Sequence, residues 1–93
     1  MNNKSKEILV ILQEEAAEVI VEVSKCFRFG PDQVLQGTSD SNVKRLEKEI
    51  GDLQAMIDLL LEQNIGITQE GIQSAKEHKF SKLRKFSSIF DAK

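Results

Sequence analysis

The 93-residue chain has no tryptophan and no tyrosine, one proline (Pro31), one cysteine (Cys26) and one histidine (His78). A lone cysteine excludes an intrachain disulfide and fits a reducing compartment. With few aromatics, 40% hydrophobic and 30% charged residues, the composition is that of a helical protein and not of a disordered one. No apolar run approaches membrane-spanning length; the longest candidate, Leu59 to Leu61, belongs to an amphipathic helix. Only five apolar residues separate Glu7 from Gln13, so no secretory leader is expected. The formal net charge of −2 gives no general attraction to nucleic acid or anionic membrane. A cytoplasmic chain without nucleic-acid or membrane partners is therefore expected. Repeats, low-complexity tracts and strand patterns are also missing.

What is present is helical periodicity. A first helix is expected over about 5–27, with Ile8, Leu12, Val19, Val23 and Cys26 on its apolar stripe. Gly30-Pro31 ends it, because proline cannot continue a helix. A loop over about 29–41 follows. Its length suggests a functional role, and Val34 and Leu35 are expected to form a short helical turn that pins it to the core. The second helix, about 42–63, is capped by Asp40, Ser41 or Asn42. Leu46, Leu53, Met56 and Leu60 form its stripe, and Asn64 and Gly66 mark its end. Thr68 is a good N-cap for a third helix running to about 90, with Glu70 in its first turn, where the helix dipole favours an acid. The expected fold is all-α, one domain over 1–93. Leu9, Val10, Ile20 and Val21 lie outside the main stripe of the first helix. Three helices can hardly cover them, so at least a dimer is expected.

The acids break the pattern. At about 100° per residue, Glu15, Glu18 and Glu22 share an arc with Ile8, Ile11, Leu12 and Val19. On the second helix Glu49 and Asp52 are three apart, hence neighbours on one side, and Leu46, Leu53, Met56 and Leu60 surround Glu49. Like charges at a core-facing position are costly without a partner. A magnesium ion, with its preference for hard oxygen ligands, meets that need, and helix bundles build such sites from facing carboxylates. Pairing with Lys or Arg at the helix interface meets it equally.

Glu14-Glu15-Ala16-Ala17-Glu18 and Glu49-Ile50-Gly51-Asp52 read EExxE and ExxD. With the surrounding EEAAEVIVEVSKCFRFG and NVKRLEKEIGDLQAMIDLL, they resemble the all-α NTP pyrophosphohydrolase superfamily, and within it the short single-domain MazG-like proteins, many of them phage-encoded. The resemblance runs from about Ile11 to Leu61 and extends loosely into the third helix. It implies that Glu15, Glu18, Glu49 and Asp52 hold magnesium, with manganese a possible substitute. Glu14 would either support the ligands or activate water. It further implies cleavage of a (d)NTP between the α and β phosphates, giving (d)NMP and pyrophosphate, by a homodimer or homotetramer whose helices complete four-helix bundles. A phage-encoded member would work in the host cytoplasm.

In that reading Glu14 or Glu18 takes the proton of the attacking water. Lys25, Arg28, Asn42, Arg45, Lys76 and Lys79 are the candidate contacts to phosphate or base. Phe27 and Phe29 could stack on a base, although core packing is the expectation for Phe27. Cys26 is expected to be an inert core thiol and His78 a surface residue. The alternative is a non-catalytic helical module that binds nucleotides or a protein partner.

Overall fold

The computed structural model describes residues 1–91; of the expected 1–93 domain, Ala92 and Lys93 lie outside the described residues. The fold is all-helical, with α1 at Asn3–Phe29, α2 at Asn42–Leu61 and α3 at Gln69–Phe86. Among the described residues there is no strand, only an isolated antiparallel bridge between Val34 and Ser41. The chain divides into two compact units, Met1–Gln63 and Asn64–Lys93.

The first unit is an α1–α2 hairpin. The Asn2 side chain accepts from the Ser5 N–H at 2.7 Å and starts α1. Gly30, at φ 91°, ends it and donates its N–H to the Cys26 carbonyl; Pro31 prevents continuation. Ser41 is the residue that caps α2, accepting from the Lys44 N–H at 3.2 Å. The helices run antiparallel, because their contacts pair rising with falling numbers. Ser5 Oγ donates to Gln63 Oε1 at 2.9 Å at one end. Arg45 reaches Glu22 nearer the other, and Asn42 reaches Gly30 at the connection.

That connection is tied down by hydrogen bonds and not by apolar packing. The buried Asn42 amide donates to the Gly30 carbonyl at 2.9 Å and to Gln33 Oε1 at 3.3 Å. The backbone N–H groups of Asn42 and Val43 donate to the Gln33 and Pro31 carbonyls. Val34 and Leu35 do not make the expected helical turn; both are exposed, and Leu35 donates to the Asp40 carbonyl instead. The helical pattern is lost because Gly37, at φ 86°, and the Thr38 hydroxyl bond to the Leu35 carbonyl favour a tight turn.

The hairpin buries little. Ile8 and Leu60 are the buried hydrophobic residues among those described. Leu12, Val19, Leu46, Leu53 and Met56 are half-buried, whereas Val10, Ile20, Val21, Val23 and Ile50 are exposed. Phe27, expected in the core, is 86% exposed. It follows Cys26 and so lies one residue off the arc that faces α2. An open apolar groove along α2 is lined by Val43, Leu46, Glu47 and Ile50, with none of the candidate ligand acids.

In the second unit Thr68 Oγ1 accepts from the Gly71 N–H at 3.0 Å, while Arg84 and Lys85 in the last turn complement the dipole. Helix α3 stops four residues before the expected end. Ser87 adopts extended backbone and its hydroxyl donates to the Leu83 carbonyl at 2.8 Å, a serine competing with the helix for backbone partners. Phe90 then packs edge-on against Phe80, centroids 6.2 Å apart, with the Arg84 guanidinium over its ring.

Candidate metal centre

The antiparallel hairpin brings Glu15 of α1 against Glu49 and Asp52 of α2. One carboxylate oxygen from each lies within 4.8 Å of the other two. All three residues are half-buried, and Glu15 Oε2 is sealed from solvent with no hydrogen-bond donor. Facing carboxylates offer only acceptors, so their mutual repulsion is relieved by a shared proton or a nearby cation. Burial raises the Glu15 pKa above the usual glutamate range; a hydrogen bond with Glu49 and the charges of Asp52 and Glu49 push the same way, and Lys48 partly opposes them.

Lys48 is the cation already present. Its ammonium lies 2.8 Å from Asp52 Oδ2 and 3.6 Å from Glu49 Oε1. The hydrogen bond to Asp52, then the charges of Asp52 and Glu49, raise its pKa. The side chain is nonetheless 70% exposed, so a stronger cation can displace it cheaply. The i,i+4 spacing of Lys48 and Asp52 signals this pair in the sequence, although the sequence reading assigned Lys48 no role.

The donor set fits a small hard cation. Ligands at about 2.1 Å in an octahedron lie about 3 Å apart when adjacent and about 4.2 Å apart when opposite. The three oxygens lie within 4.8 Å of one another, wider than those spacings, and Glu15 Oε2 is buried without a donor. Glu18, expected as a fourth ligand, is not in this group. It lies one turn beyond Glu15 and is exposed, as is Glu14.

The remaining candidates scatter. Glu22, on the same α1 arc, instead takes the ion-pair solution: its Oε1 accepts from Lys25 at 3.3 Å and from Arg45 at 3.2 Å. Asn42 is buried and its amide is engaged in closing the loop, which leaves it poorly placed for substrate. Arg28 stacks over the half-exposed Phe29 ring at 4.7 Å. Lys76 and Lys79 are exposed on α3, in the second unit, as is His78. Cys26 is a half-buried free thiol. Comparison with family models, with curated proteins and with solved structures found no match to the chain.

Proposed function

We propose that the chain is a magnesium-dependent nucleoside triphosphate pyrophosphohydrolase of the MazG-like kind, converting a (d)NTP and water to (d)NMP and pyrophosphate. The observation that carries this reading is the convergence of Glu15, Glu49 and Asp52 across the helix interface, with a buried Glu15 oxygen that no protein donor reaches. These acids coincide with the EExxE and ExxD positions. Glu15, Glu49 and Asp52 would hold the ion, with Glu18 turning in as a further ligand, and manganese could substitute; a magnesium ion held there would supply charge neutralisation to the polyphosphate oxygens. Water adds at the α phosphorus and the bond to the β-phosphate oxygen breaks. Glu14 or Glu18 takes the water's proton, both being exposed enough to reach it. Lys25, Arg28 and Arg45 supply cationic contacts to the departing pyrophosphate, and Lys76 and Lys79 are further candidates.

The exposed apolar residues of α1, Val10, Ile20, Val21 and Phe27, are covered in this reading by a second copy. The assembly is a homodimer or homotetramer with a four-helix-bundle core, working in the cytoplasm. The same exposed face supports a second reading, a non-catalytic module that docks a protein partner, with the acids merely paired to Lys48. Magnesium raising the melting temperature separates the two, because only a metal site couples the ion to folding.

Mutation tests the catalytic claim. Glu18→Gln and Asp52→Asn should each abolish magnesium-dependent turnover while circular dichroism shows intact helices. Full activity in both variants rejects the assignment.

A further inference from the structure

Glu22 is a buried acid that the metal centre does not use. It is 4% exposed and lies two turns beyond Glu15 on α1. Its Oε1 accepts from both Lys25 and Arg45, while its Oε2 is buried without a hydrogen-bond partner among the described residues. Burying a carboxylate is costly, and a structural ion pair recovers that cost when its remaining lone pairs and donors are satisfied. Here they are not. The Lys25 and Arg45 side chains remain 29% and 23% exposed, and each keeps further N–H donors beyond the one given to Glu22. The carboxylate thus clamps two cationic heads side by side from beneath. Arg45 stands one helical turn before Glu49, about 6 Å along α2, so the pair adjoins the acids.

We propose that Glu22 is a positioning residue: it holds Lys25 and Arg45, two of the cationic contacts named above, side by side as one anion subsite for the terminal phosphates of a polyphosphate. The inference deepens the reading of the neighbouring acids as a nucleotide-phosphate site and rests on it. The ligand chemistry is a diphosphate group extending from the metal-held phosphate, which ammonium and guanidinium donors bind by charge-assisted hydrogen bonds.

The sign of one substitution tests this. Glu22→Gln removes a negative charge beside the subsite, so charge alone predicts tighter anion binding. A positioning role predicts the opposite. Inorganic pyrophosphate is titrated calorimetrically, without metal, into the full chain and its variants. The wild type should bind it, and Glu22→Gln should bind about tenfold more weakly, the scale of one lost charge-assisted hydrogen bond. Lys25→Met, which leaves Arg45 paired to Glu22 and replaces the more exposed of the two cations, should lose at least as much and guards against misfolding of the Glu22 variant. Unchanged or tighter binding by Glu22→Gln with native helicity overturns the proposal, as does a wild type that binds no pyrophosphate. A wild type that binds pyrophosphate but releases none from nucleotides with magnesium overturns the hydrolase reading and leaves the subsite standing.

Discussion

Glu15 is the residue whose placement folding alone does not explain. Its carboxyl titrates above the usual glutamate range, first through burial and then through Glu49 and Asp52. A group with a raised folded-state pKa stabilises the fold while protonated; that contribution is present at acid pH and is lost as pH rises through the raised value. In metal-free protein, the melting temperature of Glu15→Gln relative to wild type should therefore climb from mildly acidic pH to neutrality. The variant should melt higher at neutral pH and show no further gain with magnesium. A Glu15→Gln protein that melts lower than metal-free wild type at neutral pH contradicts this account. Lys48 sits on the opposite side of the same balance. Because its exposed ammonium competes for Asp52 and Glu49, Lys48→Met should tighten magnesium binding several-fold by titration calorimetry, and an unchanged affinity would show that the lysine does not compete.

Among the elements, three helix ends were legible because their signals are local, whereas the end of α3 at Phe86 was not. Gly30-Pro31, Ser41 and Thr68 act through neighbours within a few residues. The loop's position was legible as well, but its internal structure was not. Its closure depends on Asn42 bonding to Gly30 and Gln33 across the turn, and helical spacing alone had placed Asn42 among the substrate contacts. Asn42→Ala, which leaves the Gly30 carbonyl and Gln33 short of a donor, should cost about 1–3 kcal/mol in urea unfolding and speed proteolysis within 31–40. Gly30→Ala, at a φ that side chains rarely adopt, should cost about 1–3 kcal/mol. The acids divide in the same way. Periodicity placed Glu15, Glu18 and Glu22 on one arc, but which of them meets acids and which meets cations depends on what α2 presents at each level: Glu49 and Asp52 at one, Arg45 at another.

For the whole molecule, sequence patterning identified apolar faces without saying what covers them. Ile8 and Leu60 are the buried hydrophobic side chains among the described residues, while Ile20 and Phe27 stand largely in solvent. In the proposed assembly a second copy would cover α1, so wild type should be at least dimeric by light scattering at micromolar concentration, and Ile20→Glu with Phe27→Glu should weaken the assembly by desolvating charge in an apolar contact. A monomeric wild type contradicts the assembly.

The central claim is tested most directly by incubating purified protein with a panel of NTPs and dNTPs plus magnesium and following phosphorus by NMR. The expected result is pyrophosphate and monophosphate in equal amounts from at least one nucleotide, lost in Asp52→Asn. Orthophosphate alone would place the cleavage elsewhere, and no product from any nucleotide, with no magnesium effect on melting, would reduce the chain to a helical interaction module.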